Sequence, residues 1–309
     1  MTREVNCKGG VAPSTRFHLR NDTCLRKPQL LPARNLRFSD PLLSRKQSTV
    51  IGKKTSLQYL YKITLENGEH YDVSKDQKLV LKDVRHDDYP FYMSVEDCLK
   101  LPFDVFQYYR VTKGRTYWAN HEVFIDPFLL GCWLGSRMCD RSGFCTSRRK
   151  YRDVSNWLKL LSIDHTFSPL SNYVNVSYSN NKSNLRDNIS RYNLDYNNKF
   201  VPREYKYNDV QTRISLLRGF LLTSECFTRG YKTILRFDNL ALAYDIVYVA
   251  RSLGYKAHIN RNRIVFNLIP SQNYRFSIKP LGLSECVTLT CNEGVDTILT
   301  EDFDEILIG

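Results

Sequence analysis

Residue patterning predicts an α+β fold in which β-rich segments at the two ends of the chain enclose a duplicated α/β insert. Three observations lead to it. Asn67-Gly68 separates two runs of aromatic and β-branched residues, a strong hairpin signal. Two apolar stretches with helical character, holding Gly131 and Gly219, lie 219 − 131 = 88 residues apart, and the same order of elements follows each. After Pro280 the chain returns to β-branched sequence at 286–290 and 297–300.

The elements follow in order. Residues 1–23 read as a polar tail, and 24–58 as a Pro-, Arg- and Ser-rich segment with short apolar pieces. Residues 57–65 are predicted as a strand, 69–73 as its return and 78–81 as a third. Ser94, three residues before Asp97, predicts a capped short helix ending near residue 100. From about residue 125 the pattern changes. Residues 127–135 form an apolar helix, followed by a basic strand at 143–151, a helix at 154–161 and an alternating strand at 173–178. After an Asn-rich stretch come a second apolar helix at 214–222, a basic strand at 229–236, a helix at 240–253 and a hairpin over 256–269 that turns at 260–263. Small residues spaced four apart let two helix backbones approach closely. Gly131/Gly135 and Gly219/Thr223 are therefore expected to meet at the pseudo-dyad of a tandem duplication.

Composition bounds the function. The 309 residues carry 45 Lys+Arg against 32 Asp+Glu, a net charge of +13, with a pI near 9.3. At 42% apolar and 13% aromatic residues the chain can bury cores, so wholesale disorder is excluded. A mean hydropathy of −0.42 and the lack of a long apolar run exclude a membrane-spanning helix, and the first ten residues lack the apolar core of a secretory signal. The nine cysteines are scattered, with none in a Cys-x-x-Cys pair. Reduced thiols in a cytosolic or nuclear protein are expected, rather than a disulfide framework or a zinc site. An excess of cations favours a polyanion, since neutralising phosphates releases counterions.

The residues resemble a family. Leu129 to Gly135 (LLGCWLG) and Leu216 to Ser224 (LLRGFLLTS) are similar to the paired LAGLIDADG helices of homing endonucleases, of the intein-borne and mating-type switching kinds found in yeast. Residues 198–202 (NKFVP) stand where that family has its Lys-x-Ile-Pro linker. Residues 249–254 (VARSLG) resemble the helix end after the second motif, and 94–102 (SVEDCLKLP) resemble the lead into the endonuclease. The hairpin at 57–81 and the segment 287–306 look like strands of a Hint β-domain. The resemblance implies a Hint-like domain over 24–122 and 275–309, interrupted at 123–274 by a LAGLIDADG domain. That domain would consist of two αββαββ-type repeats, 123–197 and 198–274, whose strands form a DNA-binding saddle.

What the resemblance implies about activity is set by departures from the motif. The family's metal-binding acids at the helix ends are Ser136 and Ser224 here, and Arg137 replaces a glycine. A neutral hydroxyl cannot take the place of a carboxylate on Mg²⁺. No catalytic residue and no cofactor are therefore expected, with Mg²⁺ entering only if Asp140 and Glu225 substitute. Self-splicing is excluded in the same way. Cys24 resembles an intein's first residue but 23 residues precede it, and the family's Thr-x-x-His reads Ser74-Lys75-Asp76-Gln77.

The expected function is binding of duplex DNA without cleavage, by a nuclear monomer with internal pseudo-symmetry. The expected contact residues are Arg148, Arg149, Lys150, Arg152, Arg229, Lys232, Arg236, Lys256, Arg261 and Arg263, with Asn260 and Asn262 suited to reading adenine. Two alternatives stay open: an active site-specific endonuclease of the mating-type switching kind, and a structural subunit with protein partners in a nuclear nucleoprotein assembly.

Overall fold

The computed structural model describes residues 9–18, 30–37, 49–86, 90–114, 116, 118–140, 142–177, 185–267, 273–292, 296–299 and 305–308. The chain is a mixed α/β protein whose strand pairs are all antiparallel among those described. It divides into two compact units: Met1–Arg115 with Ser271–Gly309, and Thr116–Pro270. Among the described residues, no helix is long and apolar enough to cross a membrane.

The first unit opens with β1 (Arg16–His18), β2 (Leu30–Pro32), β3 (Val50–Leu65), β4 (His70–Ser74), β5 (Lys78–Asp83) and β6 (Phe91–Ser94). Helices α1 (Val95–Lys100) and α2 (Phe103–Phe106) and strand β7 (Tyr109–Thr112) complete its leading part. Gly68 turns β3 into β4 with a φ of 87°, a left-handed conformation that favours glycine. Ser94 caps α1, its hydroxyl accepting from Asp97 N. Residues 9–18, expected within a polar tail, instead join the fold. Val11 bridges Val73 and Val287, and Phe17 is fully buried. Three buried apolar residues, Val11, Ala12 and Phe17, outweigh the polar average of the segment.

The second unit contains α3 (Pro127–Gly135), β8 (Gly143–Cys145), α4 (Arg148–Leu160), β9 (Asp164–Ser168), β10 (Tyr173–Ser177), α5 (Leu185–Arg191) and α6 (Arg203–Lys206). It continues with α7 (Val210–Thr223), β11 (Cys226–Arg229), β12 (Lys232–Arg236), α8 (Leu240–Ser252), β13 (Ala257–Asn260) and β14 (Arg263–Asn267). Its sheets are ordered β8-β10-β9 and β11-β12-β14-β13. The two orders correspond, with the leading strand of the first sheet reduced to a single bridge, Cys139 to Phe144. One core built on Trp133, Phe144, Leu158, Leu216, Phe220 and Phe266 joins helices and sheets of both halves.

Two sequence expectations are corrected here. Residues 143–151 are not one strand: β8 ends at Cys145, and Arg148 already lies in α4. Tyr151, Val154, Ser155 and Leu158 recur at helical spacing and pack inward, which selects the helix over the extended form. Residues 229–236 are likewise two strands, β11 and β12, reversing at Gly230, whose φ is 58°.

The first unit closes with β15 (Asn273–Tyr274), β16 (Phe276–Cys291), β17 (Asp296–Leu299) and β18 (Glu305–Ile308). β16 pairs with β3 along its whole length, with a bulge at Pro280/Gly282. β17 pairs with β18, which joins β5. Phe17, Ile63, Leu79, Leu81 and Val111 form the centre of this unit's own core.

Candidate nucleic-acid interface

Two apolar helices set the position of everything at this site. Asp126 starts α3 by accepting from Phe128 N at 2.9 Å and Leu129 N at 3.1 Å, and Pro127 fits the first turn, where no donor is needed. Asp209 starts α7 by accepting from Thr212 N at 2.7 Å. Residues 128–134 of α3 are all buried, because α7 lies directly against them. The backbones meet at Gly131, Gly135 and Gly219, where a side chain would overlap carbonyls of the facing helix. The Thr223 hydroxyl donates to Cys132 O at 2.8 Å across the same seam.

Both helices end on serine, at Ser136 and Ser224. The Ser136 hydroxyl lies 2.6 Å from Met138 O and 2.9 Å from Cys145 O, and accepts from Cys145 N. The Ser224 hydroxyl donates to Phe220 O at 2.6 Å. Both are buried and occupied by the main chain. The nearest acids are occupied as well. Asp140 accepts from Ser142 N, Gly143 N and the Tyr173 hydroxyl, and Glu225 pairs with Arg137 at 3.0 Å.

Cations fill the negative ends of the two helix dipoles. Buried Lys199 donates to Ser136 O at 2.5 Å and to Trp133 O and Leu134 O at 3.3 and 3.4 Å. Burial pushes its pKa below the usual lysine value. Lys150, from the start of α4, donates to Ser224 O at 2.6 Å, closing α7. A divalent ion needs carboxylate or free oxygen ligands at this point. Hydroxyls bonded to main chain, two lysines and an Arg–Glu pair do not fit one.

Below the helix ends opens a cleft of 910 Å³. Four cations line it, Arg137, Lys150, Arg236 and Arg263, against Glu225 as the acid among its lining residues. Sheet register extends the surface. Cross-strand partners share a face, so Arg229, Lys232, Arg236, Arg263 and Asn260 all lie on one side of the sheet β11-β12-β14-β13. The alternate positions, Thr233, Leu235, Ile264 and Phe266, are buried on the other side. The same side of these strands also holds Phe227, Ile234, His258, Asn267 and the buried Val265, and none of its residues is acidic.

The corresponding face of β8-β10-β9 is different. Cys145, Tyr173, Ser168, Asn175 and Thr166 share it with Asp164, and it holds no Lys or Arg. The expected cations Arg148, Arg149, Lys150 and Arg152 are on α4 instead. Of these, Lys150 reaches the cleft, Arg148 donates to Pro169 O at 3.0 Å, and Arg149 and Arg152 are exposed. Arg261 and Asn262 form the tight turn between β13 and β14, Arg261 with a φ of 55°. Lys256 immediately precedes β13 and accepts at its carbonyl from Asn267 N. Sequence reasoning missed Phe227, His258 and Lys199 as parts of the site. His258 alternates with Ala257 and Ile259, which pack against the core, whereas the place of Phe227 on the face shows only once the segment 226–236 is divided at Gly230.

In the first unit, Gln77 is buried, and its side-chain amide donates to Lys78 O at 3.2 Å. Beside it the Ser74 hydroxyl accepts from Gly10 N. Cys24 lies outside the described residues. The seven described cysteines carry free thiols, and no group of three or more His, Cys, Asp or Glu able to hold a metal occurs among the described residues.

No family of known proteins matches the chain, and no curated protein does. Solved structures of inteins do align with it. A triple-substituted gp41-1 intein is 19% identical over 29% of this chain and 61% of its own, with a TM-score of 0.23. An Ssp DnaB mini-intein variant is 6% identical over 100% of this chain and 96% of its own, with a TM-score of 0.32. The chain thus spans about three fifths of the gp41-1 intein, and TM-scores this low carry no argument about fold or function.

Proposed function

We propose that this chain is a homing-endonuclease-derived protein of the Hint and LAGLIDADG kind that binds duplex DNA and does not cut it. The observation behind the reading is the solvent face of β11-β12-β14-β13. Arg229, Lys232, Arg236 and Arg263 converge there with Asn260 and without an acidic residue. Such a face attracts the phosphates of both strands by counterion release. The helix ends support the second half of the reading. Where cleavage needs paired carboxylates, Ser136 and Ser224 are bonded to main chain and Lys150 and Lys199 occupy the carbonyls. A nuclear location is part of the same proposal, since duplex DNA is the partner it names.

The test is fluorescence anisotropy of the full chain on labelled duplex DNA across a salt series, beside an RNA duplex of the same length. Binding to DNA is expected to weaken steeply as salt rises. Substituting Arg229→Glu, Lys232→Glu, Arg236→Glu and Arg263→Glu together removes about four phosphate contacts, flattening the salt slope by about 3–4. Unchanged affinity in that variant, or preference for RNA, overturns the reading. A specific double-strand break in the presence of Mg²⁺ or Mn²⁺ overturns its second half.

A further inference from the structure

We propose that the basic sheet face reads thymine methyl groups in the major groove, an inference that rests on the duplex-DNA reading above. The face is arranged in three rows across the strands. One outer row holds Arg229 and Lys232. The other holds Arg236, Arg263 and Asn260. On β12, Lys232 and Arg236 are four residues apart, which at about 3.3 Å per residue separates the rows by about 13 Å. The major groove is about 12 Å wide. Cations so spaced reach the phosphates on its two walls.

The middle row then faces the base edges. It consists of Phe227, Ile234 and Val265, aligned in register on β11, β12 and β14, with His258 beside Val265 on β13. Phe227 is 66% exposed, Ile234 half-buried, and Val265 forms the floor. Phe227 and Ile234 also line the open cleft with Arg236 and Arg263. The side chains of these three apolar residues neither donate nor accept hydrogen bonds, so they cannot distinguish the polar patterns of the base pairs. The apolar group the major groove presents is the C5-methyl of thymine. Burying it against Phe227 and Ile234 removes apolar surface from water on both partners. Cation rows thus set the depth, and the apolar row selects sequence.

The experiment compares an alternating adenine–thymine duplex with the same duplex in which deoxyuridine replaces thymidine, binding the full chain to each. The two share charge and pairing and differ by the methyl groups. Tighter binding to the thymine duplex is expected, by about fourfold per methyl contacted. Phe227→Ser, at an exposed position, and Ile234→Ser are each expected to shrink that ratio, weakening binding to the thymine duplex more than binding to the uracil duplex. Circular dichroism of both variants checks that they fold, and Phe227→Ser alone suffices if Ile234→Ser does not. Equal wild-type affinity for the two duplexes, or a ratio untouched by Phe227→Ser, overturns the inference and leaves DNA binding standing. Failure to bind either duplex overturns the reading beneath it.

Discussion

Gly131 faces Leu216 so closely that a Cβ on the glycine would overlap the leucine's carbonyl oxygen and stand 2.8 Å from Phe220 N. Gly219 has the reciprocal relation to Phe128, with Cys132 N at 2.9 Å. The obstacles are backbone atoms, which cannot rotate aside. Gly131→Ala and Gly219→Ala are each expected to cost at least about 2 kcal/mol despite alanine's better helix propensity, read from urea unfolding. A gain in stability in either variant would show that the seam is looser than described.

Arg213 is fully buried on α7. It donates to Asn208 O at 2.9 Å, Thr116 Oγ1 at 2.9 Å, Ser252 Oγ at 2.5 Å and Thr116 O at 2.6 Å, and lies 4.5 Å from the centre of the Trp118 ring. A planar fork with several fixed acceptors cannot be reproduced by an ammonium. Arg213→Lys is expected to lose about 3 kcal/mol, because acceptors stay buried with no donor. Thermal unfolding measures it.

Lys199 gives a pH dependence. Burial lowers its pKa in the folded chain, so above that value the unfolded chain holds more protons at this residue, and stability from this group rises with pH until the unfolded lysine titrates. The stability advantage of wild type over Lys199→Met is therefore expected to grow through the alkaline range. Cys139, a half-buried thiol pushed above its usual value by desolvation, interacts with Lys199, so both proteins are compared in a Cys139→Ser background. Urea titrations at successive pH values check the sign.

Lys150 closes α7 from the other half of the unit, its partner Ser224 O lying 2.6 Å away. Lys150→Met is expected to cost about 1 kcal/mol, the worth of a charge-assisted bond at a helix end. Lys150→Arg, which keeps the charge, is expected to recover part of it.

What was legible in the sequence was local. Asn67-Gly68 names its turn, Ser94 its cap, and the small residues at 131, 135 and 219 the seam between helices. Each signal lies within a few residues of the feature it specifies. The basic run at 147–152 was misread because its own six residues, five polar and one aromatic, carry no helical period. The deciding positions, Val154 and Leu158, lie beyond it. The three-row surface required sheet register, which depends on pairing β12 with β14 across 26 intervening residues of chain and on the reversal at Gly230. Lys199 gave no local sign of burial, since its acceptors sit some 63–66 residues away. Arg213 was readable in principle: it shares a helical face with Leu216, Leu217 and Phe220, all buried.

The pairing of β3 with β16 fixes an order of assembly. Tyr59 meets Leu283, 224 residues later in the chain, and the whole of the second unit lies between them. At about 5–20 residues per second on the ribosome, β3 waits roughly 10–45 s for its partner. The second unit's long-range contacts are shorter: α3 waits for α7, some 85 residues on, for roughly 4–17 s. The inserted unit can thus finish folding while its host is still incomplete. During that interval the apolar edge of β3 is what nascent-chain chaperones would meet.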